Sequence, residues 1–253
     1  MAQYAAGADA LDALNQTNEG GGNNTEFASF KTGTTYKVRV LGVADLIRFY
    51  SYGIFKKVNS FVAQNPSVRN AKGFAESNFT PWDLASNYYA DLKKKAEDAG
   101  NVAQAEDYKT EASKYRAKER FALGFIDLTT GEPIIVDLSK KQAQGVHAVI
   151  KKQEKKLGRL AFELSKEGSG TSTVVSLSPI IDMDEDLDAK ERENFAKFDG
   201  KEFDMKLYDG LLFEADEKQQ IENLVAAGFD ISLIGLSIGA SEGEQADDPT
   251  KNF

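Results

Sequence analysis

Two side-chain periods alternate along this chain, and the order in which they alternate narrows the folds open to it. From Thr34 the segment TTYKVRVLG has period two, with Tyr36, Val38 and Val40 on one face and Lys37 and Arg39 on the other. A second such run, LIRFYSYG, puts Arg48, Tyr50 and Tyr52 on one face and Ile47 and Phe49 opposite, and a third strand is expected around Lys57 to Ala63. Trp82 to Arg120 breaks this pattern: Ala, Lys and Glu dominate, β-branched residues are few, and Gly100–Asn101 stands mid-way as a helix stop. That stretch predicts an αα-hairpin with Tyr88, Tyr89, Tyr108 and Tyr115 packed between its helices. Strands resume with RFALGFIDL, turn at TTGEP and return through IIVDL. A helix from Ser139 to about Leu157 follows, with Val146, Val149, Ile150 and Leu157 as its buried stripe. A second hairpin, LAFELS and TVVSLSPII around KEGSGTS, precedes an acidic stretch, an expected strand from Glu202 to Tyr208 and a helix from about Ala215 to Ala227.

The ends read differently from this body. Gly20, Gly21, Gly22, Asn23 and Asn24 form a linker, so residues 1–29 are expected to be a flexible N-terminal segment. Residues 30–240 form one domain carrying the helical insert at about 82–120, and 241–253, SEGEQADDPTKNF, read as a disordered acidic tail. Charge follows the same division. Residues 1–30 hold four Asp or Glu and no Lys or Arg; 31–166 hold 24 Lys or Arg against 15 Asp or Glu; 167–253 hold 7 against 21. A chain of net charge −9 therefore hides a middle of +9. A basic body with an acidic tail points to a polyanionic partner.

Most catalytic and metal chemistry finds no residues here. The absence of cysteine removes disulfides, thiolate zinc and thiol nucleophiles together. The pattern GLSIG at Gly235–Gly239 resembles a nucleophile elbow, but that chemistry needs a histidine downstream, and the only one, His147, lies upstream. His147 has no partner in sequence and reads as structural. Asp182, Asp184, Asp186, Asp188 and Glu193 fit several ligand positions of a calcium loop, yet Leu187 stands where its turn requires glycine; an acidic helix start accounts for them better. No Gly/Lys phosphate loop occurs. The expectation is a non-enzymatic protein with no cofactor and no bound metal. No apolar run approaches the ~20 residues of a membrane span, and the N-terminus lacks the basic start of a signal peptide, so the chain reads as intracellular and free of the membrane.

What remains is a basic body, alternating strands with arginine and tyrosine on one face, and an acidic tail ending in phenylalanine. Single-stranded nucleic acid needs the first two together: cations for the phosphates and aromatic rings on which unpaired bases stack. Five to six short strands with helices between them suit a small barrel of the oligonucleotide-binding class. The fold expected is mainly β with α insertions, an OB-fold-like five- to six-stranded barrel with an inserted αα-hairpin. The favoured contacts are Lys37, Arg39, Arg48, Tyr50, Tyr52, Phe55, Lys56 and Lys57, with Lys140 and Lys141 at the groove edge; Phe61, Arg69, Lys72 and Phe74 come second. The competing reading places Tyr50 and Tyr52 in the core beneath the αα-hairpin.

The order of these elements, with GFIDLTTGEPIIVDLSKKQAQGVHAVIKKQ as its most specific block, resembles the single-stranded DNA-binding proteins of tailed bacteriophages over about Phe30 to Ile181 plus the tail. The resemblance implies an oligonucleotide-binding barrel and a cytoplasmic life in an infected bacterial host. It also implies an acidic tail, here Asp247, Asp248 and Phe253, that recruits replication or recombination proteins and competes with DNA for the basic groove, with possible self-association on DNA. Two features depart from it. The zinc subdomain of some members cannot be built without cysteine, and the αα-hairpin stands in its place. The basic N-terminal arm of others is replaced by an acidic segment, which puts that mode of cooperativity in doubt. A phage protein–protein assembly module and an RNA-binding protein are the alternatives; salt-sensitive binding to oligo(dT) separates the first, and matched DNA and RNA oligonucleotides the second.

Overall fold

A computed structural model describes residues 26–237. The N-terminal segment before Glu26 and the acidic tail, with Asp247, Asp248 and Phe253, lie outside the described residues. The first strand, β1, spans Thr35–Arg39; β2, Leu46–Ile54, turns into β3, Val58–Ala63. A small hairpin of β4, Val68–Arg69, and β5, Ala75–Ser77, leads into helix α1, Pro81–Asp98, and helix α2, Val102–Tyr115. The αα-hairpin is present as expected, but Lys118–Arg120 belong to the next strand. That strand, β6, Lys118–Asp127, pairs with β7, Glu132–Ser139. Helix α3, Lys140–Lys152, starts on a capping box in which Ser139 and Gln142 satisfy each other's backbone amides. The second hairpin is β8, Ala161–Glu167, with β9, Val174–Pro179. Helices α4, Met183–Asp186, and α5, Ala189–Lys197, follow; then β10, Glu214–Ala215, and α6, Glu217–Ala227, which ends on a left-handed Gly228.

The expected strand from Glu202 to Tyr208 is instead a single 3₁₀ turn, Met205–Tyr208, because the Asp204 carboxylate accepts from the Lys206 amide and offers the backbone a local partner. Its aromatics are used on the sheet. Phe203, Tyr208 and Leu211 pack on Ala122 and Ile135, and Phe203 sits so close to Gly124 that any side chain at position 124 would collide with its ring.

The main sheet runs β10-β3-β2-β6-β1-β8-β9, with β7 added on β6; all of its pairings are antiparallel except β10 with β3. The chain is thus a mixed α/β fold built on one large sheet, which stays open. This corrects the closed five- to six-stranded barrel: among the described residues β7 and β9 are not hydrogen-bonded, and α3 packs against β6, β7 and β9 where closure would occur. Its Val146 and Ile150 join Val38, Val40, Phe125, Leu138, Phe162 and Leu164 in the largest apolar core. A second core gathers Tyr52, Phe61, Trp82, Tyr115, Leu224 and Phe229 under the αα-hairpin. The four hairpin tyrosines do cluster, with Tyr89 stacked on Tyr115 at 5.9 Å, and Phe229 from the C-terminal segment closes the group. Burial pushes the Tyr115 hydroxyl up to about 12.

Candidate nucleic-acid interface

β2 and β6 pair so that Leu46 faces Leu123, Arg48 faces Phe121 and Tyr50 faces Glu119. By the pleat these six side chains share one face of the sheet. Toward the core end that face is apolar; toward Tyr50 it is charged and open. The Arg48 side chain is 61% exposed, and its guanidinium lies 3.8 Å from Glu119. Glu119 in turn holds Lys140, from the first turn of α3, at 2.8 Å. One half-buried carboxylate therefore bridges two exposed cations, and both cations are wet enough to take another anion.

Tyr50 stands at the meeting of this face with the β4–β5 hairpin. The Arg69 guanidinium lies 4.7 Å from the Tyr50 ring centroid and that of Arg48 5.8 Å, both within cation–π range. Gly73, at φ +85°, brings the hairpin backbone alongside the Tyr50 ring; a Cβ there would come to 3.4 Å of the phenol oxygen in a conformation that side chains disfavour. The next residue, Phe74, is half exposed, and Arg116 lies 5.1 Å over its ring. Lys140, Glu119, Arg48, Tyr50, Arg69, Phe74 and Arg116 thus form a contiguous strip of cations and rings with one acid in it.

A buried network fixes the hairpin beneath the strip. Asp83, in the first turn of α1, accepts hydrogen bonds from the hydroxyls of Tyr52 (2.7 Å) and Ser67 (2.5 Å) and from Arg69 (3.0 Å). Arg69 also donates to the Tyr52 hydroxyl at 2.7 Å. Arg69 and Asp83 are 6% and 4% exposed in their side chains, so this is a desolvated ion pair, in which the Arg69 Nε–H alone lacks a hydrogen-bond partner. Burial, with the Asp83 charge beside it, drives the Tyr52 hydroxyl far above the usual phenol range.

Four of the expected contacts are therefore interior residues. Tyr52 is buried, 5.5 Å from Phe61 and 5.9 Å from Trp82, because the sheet face that is open at Tyr50 is roofed by α1 two residues later. Phe61 lies in the same aromatic core. Arg69 reaches the strip only with its guanidinium plane. Arg39 is 3% exposed: its guanidinium lies 4.1 Å over Phe195, donates to the Phe195 carbonyl and meets Asp199 at 3.2 Å. Lys37 on the same face is half-buried and held by Glu191 at 2.9 Å and the Asp186 carbonyl at 2.7 Å. The α4–α5 segment covers that face of β1, which corrects the assignment of Lys37 and Arg39 to phosphate contacts.

The remaining candidates are exposed in three places. Lys72 lies in the β4–β5 turn and Lys141 beside Lys140 at the start of α3. Phe55 and Lys56 occupy the β2–β3 tip, Phe55 being 87% exposed with the Lys56 ammonium 5.5 Å from its ring. Lys57 there donates to the Ala227 carbonyl at 3.3 Å. At ~3.3 Å per residue the tip is roughly 16 Å beyond Tyr50 along β2. Arg116, Glu119 and Phe121 escaped the sequence reading. Arg116 was assigned to a helix end, and only the β2–β6 register carries Glu119 and Phe121 beside Arg48.

The acidic run after Ile181 caps helices: Asp182 accepts from Asp184 and Glu185 amides and Asp188 from that of Glu191. His147 is half-buried with Nε2 3.0 Å from the Val43 carbonyl, to which it donates. Among the described residues no group of three or more His, Asp or Glu side chains is arranged to hold a metal, and no helix is long and apolar enough to cross a membrane. No family model, curated protein or solved structure matches the chain.

Proposed function

We propose that this chain is a non-enzymatic protein that coats single-stranded DNA during replication or recombination, of the kind the tailed bacteriophages encode. The observation that carries this reading is the open face of β2 and β6, where Arg48, Tyr50, Phe74, Arg116 and Lys140 put cations and aromatic rings side by side. The cations neutralise phosphates; the rings receive bases whatever their identity, each contributing ~1–3 kcal/mol. The element order supports an OB-like ancestry for the sheet: β1 lies between β6 and β8, and one helix links the two hairpins. In this reading Asp247, Asp248 and Phe253 recruit partner proteins and compete with DNA for the strip, and copies bound along one strand associate with one another.

Trp82 is fully buried, with its indole N–H donating to the Gln220 carbonyl at 3.0 Å, so anisotropy of a labelled oligo(dT) is a better reporter than its fluorescence. Arg48, Lys72, Arg116, Lys140 and Lys141 are the exposed cations of the strip and its margins, Arg48 and Lys140 being shared with Glu119. With about five phosphates neutralised, log K should fall with log salt at a slope of roughly −3.5. Single strands should bind far more tightly than duplex. A flat salt response or equal affinity for duplex would overturn the reading, and tighter binding of a matched RNA would move it to RNA.

A further inference from the structure

Four residues along β2 from Tyr50, roughly 13 Å at ~3.3 Å per residue, the same sheet face sinks into a small pocket. Leu46, Phe121, Leu123 and Ala143 make its apolar walls, Lys140 and His147 stand at its rim, and its volume is about 170 Å³. We propose that this pocket seats one unpaired base of the bound strand, a proposal that rests on the reading of the strip as a single-strand interface. Three observations carry it. Leu46 and Leu123 are cross-strand partners next to the Arg48–Phe121 pair, so the pocket continues the strip without a break. Its volume is well below the ~300 Å³ at which sites for drug-sized ligands begin, which suits a single flat ring. Its rim carries Lys140, whose charge is held by Glu119 together with Arg48, so cations for the flanking phosphates stand beside the apolar seat. The rim imidazole is already oriented by its hydrogen bond to the Val43 carbonyl. A base lodged here lies against Leu46, Phe121 and Leu123 within a concave seat, whereas one lying on Tyr50 or Phe74 rests on an open ring.

His147 is the only histidine in the chain, which makes its ring a unique reporter of this pocket. The full-length protein, labelled with ¹³C in histidine, is titrated with oligo(dT) and with an abasic deoxyribose-phosphate oligomer of equal length. Oligo(dT) should move the His147 ring signals by the ring current of the seated base, and the abasic oligomer should leave them in place. Equal movement with both, or no movement while oligo(dT) binds with the expected salt slope, would overturn the pocket and leave the strip standing. No binding of oligo(dT) at all would overturn both. A second variant supplies an independent arm. Gln144 also lines the pocket and is exposed, so Gln144→Trp can fill the seat without disturbing the core. It should reduce oligo(dT) affinity about tenfold, within what one stacked base contributes, while affinity for the abasic oligomer is unchanged. Unchanged oligo(dT) affinity in that variant would contradict the proposal.

Discussion

β1 and β2 carry the same kind of sequence, period-two runs with arginine on one face, and end in opposite situations. The Arg39 side chain is 3% exposed and that of Arg48 61%. The difference comes from what the rest of the chain lays over them. The acidic, helix-forming segment 182–199 covers the basic face of β1 and meets Lys37 and Arg39 with Glu191, Asp199 and the Phe195 ring. Along the Arg48–Tyr50 stretch of β2 the face is left open, and the roof begins only at Tyr52. An acidic C-terminal half in a chain with a basic middle therefore has two uses: it neutralises one basic face permanently and leaves the other to an external anion.

This contrast can be broken in several ways. The largest effect should come from Asp83→Ala, which strands the buried Arg69 charge and should destabilise the fold by about 3–5 kcal/mol in denaturant titration. Arg39→Ala should cost about 2–3 kcal/mol of stability, from the lost bond to the Phe195 carbonyl and packing on its ring, while oligo(dT) affinity per folded molecule stays the same. A loss of affinity with stability intact would return β1 to the interface. Tyr50→Ala should do the reverse, weakening oligo(dT) binding by ~1–3 kcal/mol with an unchanged unfolding midpoint. The smallest change is expected for Glu119→Gln, which releases Arg48 and Lys140 from their shared, half-buried carboxylate, pairs whose cation ends are exposed and worth about 1 kcal/mol each. It should tighten single-strand binding and steepen the salt slope by ~0.7 for each additional phosphate engaged. Weaker binding would make Glu119 a positioning residue for the two cations instead of a competitor for them.

Much of the fold was readable because it is local. Periods of two and 3.6, the Gly100–Asn101 stop and the Ser139 cap locate β1 to β3, the αα-hairpin, both later hairpins and α3. The Glu202–Tyr208 error arose because an alternating apolar pattern says nothing about the Asp204 side chain competing for the backbone. The interface was legible by residue type and not by exposure. Arg48 and Arg39 look alike in sequence, and so do Tyr50 and Tyr52; what separates them is a covering element distant in sequence, α1 over Tyr52 through Asp83, 31 residues on, and α5 over Arg39 through Phe195, 156 residues on. The competing reading of the two tyrosines was right for Tyr52, which lies in the core under the hairpin, and not for Tyr50, which stays at its margin. Glu119 and Phe121 enter the strip only through the β2–β6 register, a pairing between segments separated by the whole helical insert, and Arg116 only through its contact with Phe74.

Cross-linking tests the central claim, that the open face of β2 and not the basic face of β1 meets the single strand. The full chain bound to an oligonucleotide carrying 5-iodouracil is irradiated and digested, and the linked peptides are identified by mass spectrometry. The account expects attachment in the peptides bearing Tyr50, Phe74 and Phe121, with Phe55 reached by longer strands. Attachment concentrated on the basic face of β1 and the α5 segment over it, around Phe195, would contradict it.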